Sequence, residues 1–465
     1  MLCFQALAKI DPARLAAAQN RCPYRLCDYA VGTKMIWSAY YKTVVAEVAG
    51  CLVFRNGSGR RIFFDLPLPF CDTADPDAAL TAIERYCAEG ELPLCFGSVP
   101  AEVLPHLTAR YSRYSVISHN NYADYLYPAG QFLSYAGKRL SGQRNHVNRF
   151  YRDFPDAHFR ALTPSDRPAI RRFFDRFEQG FQKTSWSAHY ELKRAAQAMR
   201  AMPPFAQAGG MELNGELISV ALGERCGDTL VIHIEKALPD YPGLYPATAQ
   251  GFARLFAGDA AYINREDDSG DRGLRISKTQ YHPIERLQKY RVSVQTEAHA
   301  LRAIPDLSSD RLTYTALRRE DIDAYNRLCL DDRRNALWGY DYRSDCKGTP
   351  TRDYFYRTAM LDFSRRTVLN FAIRLDGALI GEAVLYRFDG RGNAELGVRI
   401  LPEYDGHGYG REAYDAIGSY AIYGLGLRRL YGRCHRDNVA SEKMLAASMK
   451  CIGEEGDYLC FSRSV

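Results

Sequence analysis

With 465 residues, the chain is longer than one hydrophobic core usually supports, so two or three domains are expected. Hydrophobic residues at 46% and charged residues at 25% exclude a disordered or fibrous chain. The formal net charge of +6 suits an acidic ligand such as a nucleotide, but is too small to argue for nucleic acid. Thirteen cysteines are scattered along the chain. Cys22 and Cys27 form the closest pair, and no second pair completes a zinc site, so no metal is expected. Free thiols suit a reducing cytoplasm. The first residues lack a basic stretch followed by an apolar core, and no run of about 18 apolar residues occurs. The expectation is a cytoplasmic protein with no membrane span.

In chain order, the first pattern is a strand over 45–55, a turn at Asn56-Gly57-Ser58-Gly59 and a strand over 60–66. Lys138, Arg139 and Arg144 predict a basic helix, which could face solvent or contact phosphate. Thr163 then suits a helix cap, Pro164 the first helical position and Asp166 the first turn, with Ile170, Phe173, Phe174 and Phe177 at helical spacing. Strands over 205–213 and 216–224 flank Asn214-Gly215, a strong two-residue hairpin signal, and a third strand follows over 229–235. A second set repeats this order. A helix begins after Leu317 and carries Ile322, Tyr325 and Leu328. A hairpin over 368–375 and 378–388 turns at Asp376-Gly377, and a strand follows over 394–400. The landmarks recur at an offset of about 160 residues, the mark of a duplicated unit. The expected fold is α/β (α+β): three related modules at 1–150, 151–300 and 310–465, each a mixed, mostly antiparallel sheet flanked by helices. Residues 298–310 are read as the linker.

The most informative stretch is Glu395 to Ala413. A strand enters a loop with glycines at alternate positions, Gly406, Gly408 and Gly410, and a helix then runs to about Gly424. Glycines let the backbone approach a pyrophosphate, and the N–H groups at a helix start hold its charge. The spacing is neither Gly-x-Gly-x-x-Gly nor a Walker loop. It resembles motif A of the GNAT N-acyltransferases, with Asp405 standing where that motif usually has Arg or Gln. An acidic side chain there is expected to weaken phosphate binding. Asn438-Val439-Ala440-Ser441 resembles the start of motif B, and Asn438 can also cap the helix that follows. The likeness is to the ribosomal-protein and spermidine acetyltransferase branch.

What this resemblance implies is acyl transfer from acetyl-CoA to a primary amine of a small molecule or a protein. The cofactor would be held by Val398, Arg399, Ile400, Gly406, His407, Gly408, Tyr409, Gly410, Arg411, Asn438 and Ser441. Backbone N–H groups near 398–400 would polarise the thioester. Glu395 is the candidate base. Many relatives protonate the leaving thiolate with a tyrosine of the motif B helix; Leu445 occupies that place, so that role is vacant or filled elsewhere. Trp338, Tyr340 and Asp341 could clamp and attract the amine, or form a packed aromatic loop.

Upstream, 138–150 resembles a Lys/Arg-Arg-Asn-x-x-Asn-x-Phe segment of the proteins that share the C-terminal domain of phosphatidylglycerol lysyltransferase. Three more stretches agree, at 233–237, 263–268 and 273–283. This likeness covers about 25–295, without that enzyme's membrane-embedded half. It implies a tandem GNAT-like fold related to aminoacyl-tRNA-dependent transferases, so tRNA enters as a less favoured partner. In the second module the equivalent loop, 238–244, has two prolines and one glycine, and CoA binding is not expected there. Arg265, Glu266, Asp267, Arg275 and Lys278 could read a polar substrate or form a buried ion-pair network. A ligand sensor without catalysis is the remaining alternative.

Overall fold

The computed structural model describes residues 2–180, 186–202, 205–338, 340–346 and 348–464, with side chains left out at 186–188. The chain is a mixed α/β protein with three sheets flanked by helices. It divides into two compact units, one of residues 1–82, 95–105 and 116–292, the other of residues 83–94, 106–115 and 293–465.

In the first unit, one sheet runs Glu285–Leu287, Asp124–Pro128, Tyr262–Asn264, Thr229–Ala237, Glu216–Cys226, Ala206–Leu213 and His158–Ala161. All its pairings are antiparallel except Thr229–Ala237 with Tyr262–Asn264. The Asn214-Gly215 hairpin forms as its sequence dictates. Both residues are left-handed, at φ 52° and 79°, which matches the twist of the flanking strands. Thr163 caps its helix, and the Asp166 carboxylate accepts from the Thr163 N–H at 2.7 Å. Ile170, Phe173 and Phe174 then face the core.

The N-terminal sheet departs from its pattern. The strand expected over 45–55 is a hairpin, Val44–Val48 with Cys51–Ser58, turning at Ala49 and Gly50 with φ 48° and 69°. The expected turn at 56–59 is therefore mostly strand, and Asn56 pairs with Phe63. Boundaries at 150 and 300 do not follow the sheets either. Asp124–Pro128 lies in the second sheet, and Lys289–Gln295 lies in the first.

The sheet of the second unit runs Leu307–Ser308, Thr313–Ala316, Leu369–Leu375, Ala378–Tyr386, Asn393–Ile400, Arg429–His435, Tyr458–Ser464 and Lys450–Glu455. Asp376 and Gly377 turn its hairpin at φ 50° and 85°. Only Asn393–Ile400 with Arg429–His435 is parallel among its pairs. Helix Tyr409–Ser419 packs Ala413, Tyr414 and Ile417 onto one face of the sheet. The expected linker is packed: Ala298 and Ile304 join the same core.

Candidate active site

The parallel pair opens. Asn393, Ala394 and Glu395 pair with Arg429, Leu430 and Tyr431, and the pairing then stops although the strands continue to Ile400 and His435. Their outer edges stay bonded to the rest of the sheet. Alternate N–H groups of residues 396–400 therefore point into a gap between two strands, where an extended ligand can complete the ladder.

Past Ile400 the chain makes a short turn, Pro402–Tyr404, and enters the helix Tyr409–Ser419 through Gly408. Gly406 and Gly408 have φ of 79° and 81°, which glycine adopts at no steric cost. Nothing lies within 4 Å of a Cβ built on Gly406, and only Arg311 Nη2, at 3.7 Å, lies near one on Gly408. The first-turn N–H groups of the helix have no intrahelical acceptor, and the glycines before them leave the approach uncrowded. The helix dipole adds a positive partial charge there, so the residues fit a pyrophosphate. The second module contrasts. Gly243, at φ 86°, starts helix Leu244–Phe256 in the same way, but a Cβ on it would collide with the His146 carbonyl and lie 3.2 Å from Phe150 Cβ. Helix Ser141–Asp153 fills the space that stays open at Gly408. Arg144, from this helix, donates to the Tyr135 and Gly137 carbonyls, while Lys138 and Arg139 are exposed.

The acidic residue of the open loop does not stand alone. Arg334 Nη2 is 2.8 Å from Asp405 Oδ2, so a guanidinium from helix Asp332–Trp338 neutralises it. Arg311 flanks the loop on another side. It bonds the His407 carbonyl at 3.1 Å, pairs with Glu412 and lies over the Tyr409 ring. His407 stacks on Tyr409, and Arg411 projects outward beside Asp415. The Asp405 charge is thus countered by an arginine that sequence spacing does not mark. Were an acyl-CoA pyrophosphate held at this loop, Arg334→Met would raise its dissociation constant about tenfold by baring that charge. Adding Asp405→Asn should restore it, as a titration of both variants will show. Asn438 is a helix cap, its Oδ1 accepting from the Ser441 N–H at 3.1 Å.

Along Asn393–Ile400, side chains alternate between faces. Leu396, Val398 and Ile400 join the core beneath the helix. Glu395, Gly397 and Arg399 share the other face. Glu395 accepts from Tyr386 Oη at 2.5 Å, Arg387 Nη1 at 2.9 Å and Arg433 Nε at 3.0 Å. Trp338 lies so close over Gly397 that a Cβ there would collide with its ring. Arg399 is buried, donates Nε to Glu382 at 2.9 Å and Nη1 to Asn335 at 3.1 Å, and lies 4.4 Å from the Tyr342 ring. The strand thus brings Glu395, Arg399 and Trp338 together. Tyr340 and Asp341 are turned to their own loop: Tyr340 donates to Asp345, and Asp341 is bound bidentately by Arg343.

In the first unit the charged cluster is paired mainly within itself, although Arg265 Nε and Nη1 are buried without a hydrogen-bond partner among the described residues. Lys278 donates to the carbonyls of Arg265, Glu266 and Asp267, Arg275 pairs with Asp268, and Arg265 with Glu235. Lys289 Nζ sits 2.7 Å from both Asp28 and Asp124 and 3.3 Å from Asp267 and Cys27 Sγ. Its ammonium thus occupies the centre of an acidic group that would otherwise suit a cation. Burial alone would pull Lys289 down, but Asp124 and Asp28 outweigh it and hold the amine well above its usual pKa. His233, missed from sequence, lies between Glu224 at 2.7 Å and Glu266 at 2.8 Å.

Residues 20–293 match the family model described as phosphatidylglycerol lysyltransferase, C-terminal, and residues 311–448 match the acetyltransferase (GNAT) domain model. An uncharacterised protein of Mycoplasmoides gallisepticum is 27% identical over 198 residues, 39% of this chain and 60% of its own length. The uncharacterised N-acetyltransferase YnaD of Bacillus subtilis is 33% identical over 81 residues, 17% of this chain and 45% of its own. The chain thus spans about half the length of these curated relatives. A crystal structure of a conserved protein of unknown function from Bacteroides thetaiotaomicron is 25% identical, with a TM-score of 0.56, over 63% of this chain and 100% of that one.

Proposed function

Because the chain belongs to the phosphatidylglycerol lysyltransferase C-terminal family and carries a GNAT acyltransferase domain beside that region, we propose that this domain transfers acetyl from acetyl-CoA to a primary amine. The observation that carries the reading is the open helix start at Gly406 and Gly408, set against the filled one at Gly243. The loop residues 406–411 would hold the pyrophosphate, with Arg334 and Arg311 beside them. The pantetheine arm would lie in the gap beyond Glu395, where N–H groups of residues 398–400 polarise the thioester carbonyl. The amine, from a small molecule or a protein, would enter on the face of Glu395 and Trp338, beside the loop of Tyr340 and Asp341. There an ammonium would displace the half-exposed Arg387 from Glu395, which then takes its proton. Thirteen free cysteines favour a reducing compartment such as the cytoplasm.

Calorimetric titration of acetyl-CoA into wild type and Gly408→Trp tests this reading. A Cβ on Gly408 meets nothing nearer than Arg311 Nη2 at 3.7 Å, so a large side chain would project over the helix start, at the cost of the strain that φ 81° imposes on any residue but glycine. Micromolar binding to wild type and at least tenfold weaker binding to an equally folded variant are expected, about 1.4 kcal/mol or more. Equal binding, or none, would remove the cofactor from this loop.

The filled helix start of the second module favours a different donor there, and aminoacyl-tRNA is the second reading. It requires tRNA affinity that falls steeply with salt. Filter binding of total tRNA at 50 and 200 mM salt decides it, and no binding at the lower salt would end it.

A further inference from the structure

We propose that the amine accepted by the C-terminal domain carries a carboxylate or phosphate close to its nitrogen, held by Arg387 and Arg433. This names the acceptor class for the site described above and rests on the acetyl-CoA reading. Charge is the starting point. Glu395 has only 7% of its side chain exposed, yet two guanidiniums pair with it, Arg387 through Nη1 at 2.9 Å and Arg433 through Nε at 3.0 Å. Neither arginine pairs with another carboxylate among the described residues. One negative charge against two positive ones leaves a net charge of +1 around Glu395. The next charged pair on this face, Arg399 with Glu382, cancels within itself.

Both arginines are placed to meet a ligand. They reach Glu395 from the strands on either side of it. Arg433 stands on Arg429–His435 two residues beyond Tyr431, where the pairing with Asn393–Ile400 ends, so it borders the gap. Arg387 directly follows Tyr386, the residue paired with Glu395, and its backbone is left-handed at φ 54°, uncommon for a residue other than glycine. Each arginine uses one nitrogen on Glu395. Both Nη groups of Arg433, and Nε and Nη2 of Arg387, bond to no protein acceptor among the described residues, and the side chains are 27% and 29% exposed. Tyr458 lies 5.4 Å from the Arg433 guanidinium and Tyr386 5.6 Å from that of Arg387, which steadies both.

A bare alkylammonium entering here would add a third positive charge against one carboxylate, and a partly buried site screens that repulsion poorly. A polyamine fares worse still. An oxyanion on the acceptor changes the balance. The ammonium takes the place of Arg387 at Glu395, and the displaced guanidinium closes, with Arg433, on the oxyanion. Two planar forks suit a carboxylate or a phosphate, whose oxygens accept charge-assisted bonds. Every charge in the site then has a partner. Because both arginines touch Glu395 directly, the oxyanion must sit only a few bonds from the nitrogen, as in an α-amino acid or an aminoalkyl phosphate.

The test compares acceptors that differ only in the oxyanion: phenylalanine with phenethylamine, and phosphoethanolamine with ethanolamine. Release of CoA thiol from acetyl-CoA gives kcat/KM for each, beside calorimetric binding of acetyl-CoA. Wild type should use at least one oxyanion-bearing acceptor about tenfold better than its bare partner, and the pair that shows it tells carboxylate from phosphate. Arg433→Gln should reduce this preference to about twofold or less. Arg387→Gln makes the same test should the first variant misfold. Preference for the bare amines, or no turnover of either oxyanion-bearing acceptor, would overturn the assignment, as would a preference that survives in both variants. Failure of wild type to bind acetyl-CoA would instead overturn the cofactor reading, and this assignment with it.

Discussion

Arg399→Met is expected to cost the C-terminal unit about 3–5 kcal/mol of stability, the largest single effect foreseen in this protein. Arg399 and Glu382 face each other across neighbouring strands, at 5% and 0% exposure. Glu382 also accepts from Tyr325 Oη at 2.9 Å and lies 3.4 Å from Asn370 Nδ2. Those donors are neutral. Without the guanidinium, a carboxylate stays fully buried with no counter-charge, and the cost of that exceeds the loss of any one hydrogen bond. The pair itself contributes far less than this figure, because bringing both charges out of water was itself costly. The double variant Glu382→Gln with Arg399→Met should therefore lose only about 1–2 kcal/mol, although it lacks both groups. Urea unfolding at neutral pH, followed through tryptophan fluorescence, compares the two. If single and double variants lose the same amount, the uncompensated charge is not the cause.

The second large effect concerns pH. Burial alone would lower the pKa of His233, but its bonds to Glu224 and Glu266 outweigh that and push it up to about 10. An unfolded histidine titrates near 6.5. The folded state thus holds one proton more than the unfolded state between these values. The resulting stability is complete below pH 6.5 and is lost as pH rises towards 10. The unfolding free energy should fall through this window by up to about 1.4 kcal/mol per pH unit. His233→Gln removes the titrating ring, so the difference in slope between wild type and variant isolates it from lysines and cysteines that titrate nearby. Parallel slopes would mean that the imidazole is neutral when folded.

Much of the local structure was legible because its causes are local. Asn214-Gly215 and Asp376-Gly377 specify hairpins within two residues, and Thr163 with Asp166 specifies a helix start within four. Ala49-Gly50 carries a weaker turn signal in an apolar run, which reads as one strand until the pairing of Val48 with Cys51 is seen. The GNAT loop was legible through its glycines. Arg334 was not: it lies 71 residues from Asp405, and neither its spacing nor its neighbours mark it. His233 stood in a stretch singled out from sequence, but its partners lie 9 and 33 residues away, Glu224 on the neighbouring strand and Glu266 in the loop after Tyr262–Asn264.

The exchange of strands in the first unit bears on how the chain is made. One sheet draws Asp124–Pro128 from before its hairpin and Glu285–Leu287 from well after it, while Lys289–Gln295 returns to the sheet begun by residues 5–64. Neither sheet is complete until about 295 residues have left the ribosome, so their closing contacts are distant in sequence and slow to form. The C-terminal sheet, from Leu307 to Ser464, is contiguous and contains its own hairpins. A nascent chain would therefore expose unpaired strand edges for most of its synthesis. Cutting it near residue 150 would divide both unfinished sheets and yield fragments that pair with each other or aggregate.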